Sequence, residues 1–182
     1  MRMNLPNSIT MFRVALIPLF LIALLSGWIS MPEARIVSVI IFALASVTDF
    51  LDGYLARKMN LVTNFGKFMD PLADKLLVCA ALIAMVQLGD IPAWLAILIL
   101  SRELLITGFR TIAASDGIVL AASSAAKLKT ASQMLMIIIV LLNFDSVVFR
   151  MLGTALIWIS ALLTVISAAE YLIKNKNVFA QK

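Results

Sequence analysis

The sequence predicts an all-α integral membrane protein: a bundle of six transmembrane helices preceded by a short N-terminal interfacial segment. Three observations predict it. Of 182 residues, 63% are hydrophobic and 14% are charged, whereas a soluble domain carries about 25% charged and about 45–50% apolar residues. Mean hydropathy is +1.05. The apolar residues also cluster in long runs, such as 14–25, 36–47 and 93–100. At about 20 residues per transmembrane helix, with realistic loops, about six spans fit the chain.

The elements follow in order from these runs and the residues that punctuate them. The first span covers 8–28, and Pro6 and Asn7 interrupt the approach to it. Arg2 ahead of an apolar run could mimic a secretory signal. Arg13 lies inside that run, however, and no small-x-small cleavage site follows cleanly before Trp28. Ser26-Gly27 and Met31-Pro32 separate this span from the second, 34–57, and residues 58–64 separate the second from the third, 65–88. Gly89-Asp90 and Pro92 mark the start of the fourth, 91–114, which stops before Ser115 to Gly117. The fifth, 123–143, and the sixth, 147–173, divide at Asn143 to Asp145, and a polar tail begins at Lys174. There is no internal repeat or second domain, so 1–182 reads as one membrane domain.

Charge placement orients the bundle. With the N-terminus inside, the inner segments hold Arg2, Arg13, Arg57, Lys58, Lys67, Arg110, Lys127, Lys129, Lys174, Lys176 and Lys182, whereas the outer loops hold only Arg35 and Arg150. The positive-inside rule then puts both termini, and the junction of spans two and three, in the cytoplasm. The formal net charge is +5. No basic stripe with interleaved aromatics accompanies it, so nucleic acid is not an expected partner. The chain has no histidine, which excludes Ser-His-Asp and Cys-His catalysis and His-ligated zinc. Its single cysteine, Cys79, lies in an apolar run, so no intrachain disulfide or cysteine metal cluster can form.

The acidic residues are the informative minority. Asp49, Asp52, Asp70 and Asp74 lie at the expected cytoplasmic ends of spans two and three. Asp49 and Asp52 share a helix face, which Gly53 and Ala56 continue; Gly66, Asp70 and Asp74 form a second stripe at spacings of four. An antiparallel helix pair can bring both stripes to one small volume. Four converging carboxylates at membrane depth repel each other and are costly to desolvate. One or two divalent cations resolve that, and all-oxygen ligands suit Mg²⁺ or Mn²⁺. Glycines allow a bulky phosphate close to the backbone, and Arg57 can meet a diphosphate. Together these describe a phosphoryl-transfer site. Helix-end capping accounts for any single aspartate but not for two facing stripes. A cation or proton pathway could use the same carboxylates, but it needs neither the glycines nor the arginine.

Read as they stand, the residues are Asp49-x2-Asp52-Gly53-x2-Ala56-Arg57, eight residues, then Gly66-x3-Asp70-x3-Asp74. This resembles the signature of the CDP-alcohol phosphatidyltransferase family at every fixed position, and the span number and chain length are similar to that family's. The resemblance implies transfer of a phosphatidyl group from CDP-diacylglycerol to an alcohol with release of CMP. It implies two divalent cations held by Asp49, Asp52, Asp70 and Asp74, with Asp74 also the general base. It implies a CDP site lined by Asn7, Thr10, Asp52, Gly53, Ala56, Arg57 and Gly66. A homodimer in a bacterial cell membrane, with the active site on the cytoplasmic side, is implied too.

The signature does not name the acceptor. Arg102, Arg110, Lys127 and Lys129 fall on the expected fourth and fifth spans, and a basic pocket there suits an acceptor that carries its own phosphate. Positive-inside loop charge is the plain account of Lys127 and Lys129. Arg102 either pairs with its neighbour Glu103 or reaches the pocket. The segments Leu5-Pro6-Asn7-Ser8-Ile9-Thr10, Asp70-Pro71-Leu72-Ala73-Asp74-Lys75, Ser101-Arg102-Glu103 and Lys127-Leu128-Lys129-Thr130 are similar to those of family members whose acceptor is sn-glycerol 3-phosphate. The implied product is phosphatidylglycerol phosphate. Inositol phosphate, serine or phosphatidylglycerol are the alternative acceptors for the same chemistry.

Overall fold

The computed structural model describes residues 5–58, 64–115 and 123–175, all in six helices and their turns. In chain order they are α1 (Leu5–Leu25), α2 (Met31–Lys58), α3 (Asn64–Gln87), α4 (Ala93–Ser115), α5 (Ser124–Leu142) and α6 (Val147–Lys174). Among the described residues there is no strand. The helices fall into two compact units, which divide between Leu88 and Gly89.

Two helix starts differ from the sequence expectation for one reason. Helix α1 is continuous from Leu5, so the segment expected to lead into the first span is helical with it, and α2 begins at Met31 rather than at 34. Pro6 and Pro32 each occupy a first turn, where a proline's missing N–H has no helical partner to lose and its fixed φ suits the helix. The amide of Ala34 already donates to the Ser30 carbonyl at 2.8 Å, so the helical ladder begins before the expected boundary.

In the first unit α1 packs against both α2 and α3, and α2 against α3. The inward stripe of α1 is Thr10, Arg13, Leu16, Phe20 and Leu24; that of α2 includes Ala34, Ser38, Phe42 and Ala45. Phe20 meets Phe42 with ring centroids 6.4 Å apart. The alanines and serine of α2 let backbones approach, which is how helices gain packing energy where lipid is as apolar as the core. From α3, Ala73, Leu77, Ala81, Ala84 and Met85 complete this core.

In the second unit α6 packs against α4 and α5. Its buried stripe, Gly153, Leu156, Ser160, Ala161, Thr164, Ser167 and Tyr171, is again mostly small. A Cβ on Gly153 would stand 3.4 Å from Val140 Cγ2, which shows how near α5 comes. The Ser123 hydroxyl caps α5 by accepting from the Ala126 amide at 3.2 Å, and Asn143 ends it in the left-handed conformation.

Polarity is arranged as a membrane requires. Arg13, Arg102, Lys129, Gln133 and Thr164 are buried, while Leu104, Leu105, Ile112, Val148, Met151, Trp158 and Leu162 are exposed. By length and composition four helical stretches can cross a bilayer: Ser8–Leu25, Met31–Thr48, Ser124–Leu142 and Val147–Lys174. Helices α3 and α4 have 24 and 23 residues, about 35 Å at 1.5 Å per residue. That length spans a hydrocarbon core of about 30 Å. They differ in carrying Asp70, Asp74 and Lys75, and Arg102, Glu103 and Arg110.

Gly89, which follows the end of α3, has φ +77°, with open space where a Cβ would stand. Its requirement is therefore conformational. Gly89→Ala should destabilise the protein by about 1–2 kcal/mol, and Gly89→Asn by less, because asparagine tolerates the left-handed region. Thermal unfolding in detergent micelles checks the order.

Candidate active site

The acidic candidate residues belong to the first unit. Helix α2 ends at Lys58 and α3 begins at Asn64, so the junction residues lie between the two halves of the signature. Asp49, Asp52, Gly53, Ala56 and Arg57 lie on the last turns of α2. They follow the buried Ala45 at offsets of four, seven, eight, eleven and twelve residues. Gly66, Asp70 and Asp74 lie on the first three turns of α3. Of the four aspartates, the side chain of Asp74 alone is described: it is half-buried, beside Ala73 and one turn before Leu77, and it is engaged with a partner. The side chains of Asn7, Asp49, Asp52, Gly53, Ala56, Arg57, Gly66 and Asp70 lie outside the described residues.

Helix α1 supplies the rest of this end. Thr10 and Arg13 are buried, at 1% and 0% exposure, and both are engaged. They continue the stripe that Leu16 and Phe20 begin. A fully buried arginine at membrane depth must be neutralised or hydrogen-bonded, so Arg13 is part of the polar interior of this unit.

The four basic candidates belong to the second unit, and the structure sorts them. Lys127 and Lys129 are two apart and therefore on opposite faces of α5: Lys127 is exposed and Lys129 is 1% exposed. The Lys129 ammonium binds Oε1 of Glu103 on α4. The same oxygen accepts from Arg102 Nη1 at 3.2 Å, and Arg102 is 9% exposed. So Arg102 does pair with its neighbour, and Lys129 joins the same carboxylate. Arg110, two turns further along α4, is exposed at its end of the helix and interacts with Tyr171 of α6.

Two residues here escaped the sequence reading. Glu103 was visible only as a neighbour of Arg102; its role as the shared counter-ion of two cations needs the α4–α5 contact. Tyr171 carries no charge and sits near the end of the last span, where tyrosine ordinarily marks the membrane interface. Only its burial, at 4% exposure, among these charged groups separates it from that account.

Comparison with known proteins is consistent across the chain. The sequence pattern of a family described as CDP-alcohol phosphatidyltransferase matches residues 3–166, most of both units. The CDP-diacylglycerol–glycerol-3-phosphate 3-phosphatidyltransferase of Bacillus subtilis is 48% identical, over 94% of this chain and 95% of that protein. The protein of the same name from Rickettsia bellii is 40% identical over 97% of each. A probable phosphatidylglycerophosphate synthase of Mycobacterium tuberculosis is 40% identical over 92% of this chain and 79% of that protein.

Glu103→Gln should destabilise the second unit by about 3 kcal/mol, because it leaves two buried cations without their counter-ion. Adding Lys129→Met should recover part of the loss. Chemical unfolding in micelles, followed by tryptophan fluorescence, measures both, and a double variant no more stable than the single would contradict the shared pairing.

Proposed function

The chain belongs to the CDP-alcohol phosphatidyltransferase family, and from that membership we propose that it transfers the phosphatidyl group of CDP-diacylglycerol to sn-glycerol 3-phosphate. The products are phosphatidylglycerol phosphate and CMP. The observation that carries this reading is near full-length similarity, at 40–48% identity, to enzymes named for that donor and acceptor. The buried cations of the second unit support an acceptor that brings its own phosphate.

In this reading all six helices cross the bacterial cytoplasmic membrane and act as one domain, with both termini inside. Of the charges on α3 and α4, Asp70, Asp74, Arg102 and Arg110 are among those the chemistry uses. The donor's acyl chains stay in the inner leaflet while its headgroup enters the polar end of the bundle. Gly53, Ala56 and Gly66 leave room for the nucleotide, Asn7 and Thr10 offer it hydrogen bonds, and Arg57 meets the diphosphate. Asp74 accepts the proton of the attacking hydroxyl as the new oxygen–phosphorus bond forms and the bond to CMP breaks.

An all-carboxylate donor set on two adjoining helices fits hard divalent cations. Asp49, Asp52, Asp70 and Asp74 would hold them. When bound, Mg²⁺ or Mn²⁺ supplies charge neutralisation to the diphosphate and to the departing CMP. Without a histidine in the chain, a carboxylate is the natural base.

An acceptor panel tests the reading. Purified protein given CDP-diacylglycerol and Mg²⁺ should release CMP with glycerol 3-phosphate, and far more slowly with inositol phosphate, serine or phosphatidylglycerol. Faster release with any of those overturns the acceptor. Asp74→Asn should lower kcat by roughly 10²–10⁴-fold while CDP-diacylglycerol still binds, measured by equilibrium binding of the radiolabelled lipid. Chelation by EDTA should stop CMP release, and added Mn²⁺ or Mg²⁺ should restore it.

A further inference from the structure

The second unit carries a crevice that the proposed reaction does not use. It lies where α5 stops and α6 begins, at the opposite end of these helices from Arg110 and Tyr171. It holds about 290 Å³, the scale of a small-molecule site. The last turn of α5 and the first three turns of α6 line it, and the Gly89-Asp90 turn ahead of α4 closes a third side. Gly153 and Val140, where α5 and α6 meet, form its floor. Asn143, in the left-handed conformation, turns the chain away from α5 there. The rings of Phe144 and Phe149 meet edge to face across that turn, with centroids 5.0 Å apart.

The crevice has a polar rim, at Asn143, Arg150 and Thr154, all exposed. Asp90 also lines it, but is half-buried and already engaged. Among the described residues no carboxylate pairs with the Arg150 guanidinium, so the charge left unanswered at the rim is positive. The positive end of the α6 dipole adds to it, because Ser146 makes no side-chain cap. Two observations set the level of this rim in a membrane. Helix α6, with 28 residues, is about 42 Å long, which matches a bilayer with both headgroup layers, about 40–45 Å. Its first turns therefore stand in a headgroup layer. Trp94 and Trp158 follow the lining residues Asp90 and Ile157 in sequence. Both are exposed, and their ring centroids are 5.8 Å apart; tryptophan gathers at the membrane–water interface.

We propose that this crevice binds the headgroup of an acidic glycerophospholipid from the leaflet opposite the one that supplies the donor. Arg150 meets the lipid phosphodiester, since a guanidinium offers parallel N–H groups to two of its oxygens. The Thr154 hydroxyl already donates to the Arg150 carbonyl at 3.0 Å, so its oxygen accepts from a headgroup hydroxyl. The Asn143 amide can donate to the phosphate or accept from the same hydroxyl. Beside the rim, Val148, Met151 and Trp158 are exposed on α6 and give acyl chains an apolar track. That continuity of a cationic rim with an apolar face favours a lipid over a free anion. A lipid of zero net charge would bring a cationic group to a rim that is already positive. Bound lipid ties the α5–α6 turn to the turn ahead of α4 and so stabilises the second unit. Nothing in this binding requires turnover.

Thermal unfolding of the purified full-length chain in dodecylmaltoside micelles tests the proposal, with dioleoyl phosphatidylglycerol, dioleoyl phosphatidylcholine or inorganic phosphate added. Phosphatidylglycerol at several times its Kd should raise the melting temperature by roughly 2–4 °C, and the other two should not. Arg150→Gln changes an exposed side chain, so it should leave the lipid-free melting temperature in place and abolish the shift. Arg150→Lys, which keeps the charge and loses the fork, should retain part of it. Thr154→Phe fills the crevice without removing the charge and should abolish the shift too; it carries the test if Arg150→Gln does not fold. No shift in the unaltered chain, or a shift undiminished in Arg150→Gln or in Thr154→Phe, overturns the proposal. An equal shift with phosphatidylcholine overturns the acidic class. A shift with inorganic phosphate alone assigns the rim to a soluble anion and overturns the lipid.

Discussion

An ionised side chain inside a bilayer is tolerated only where an opposite charge or a full set of hydrogen bonds meets it. The buried ion pairs among the described residues follow that constraint. With 14% of its residues charged, the protein keeps most of its outward helical surface apolar and places charge where helices pack. In the second unit the pairing is internal: Glu103 answers Lys129 and Arg102 through one oxygen. In the first, four aspartates share one helix junction, and the proposed reaction answers them with divalent cations. The same physics thus yields a cation-rich unit suited to an acceptor's phosphate and an acidic junction suited to a metal-bound diphosphate.

The packing serves this division. Stripes of alanine, glycine, serine and threonine bring helices close without relying on a hydrophobic drive that lipid would not supply. Helices α4 and α5 each pack on α6, and the long side chains of Glu103 and Lys129 bridge them. Close packing also gives Tyr171 its place, since the small residues before it on α6 draw that helix in. The price is a set of buried donors left unsatisfied, Nε and Nη2 of Arg102 among them.

Much of the fold was legible in the sequence, because membrane helices announce themselves by length and hydropathy. The junction at residues 58–64 and the breaks at Gly89 and Asn143 were visible as local chemistry. Helices α1 and α2 begin three residues ahead of the spans expected at 8 and 34, because Pro6 and Pro32 stand in first turns, where a proline opens a helix. The signature from Asp49 to Asp74 was legible as spacing alone, with no fold required. The acceptor side was less so. Lys127 and Lys129 look alike in sequence, and only the rotation of α5 buries one and exposes the other. Tyr171 has neither charge nor motif, so nothing short of tertiary structure could single it out.

The central claim is that the aspartates of α2 and α3 form one divalent-cation site serving the transfer. Manganese binding to the purified protein, followed by electron paramagnetic resonance in the absence of both substrates, tests it most directly. The account predicts bound Mn²⁺ in the unaltered chain and its loss in a variant combining Asp49→Asn with Asp70→Asn that retains its helical circular dichroism. Bound Mn²⁺ undiminished in that variant, or none in the unaltered chain, would contradict it.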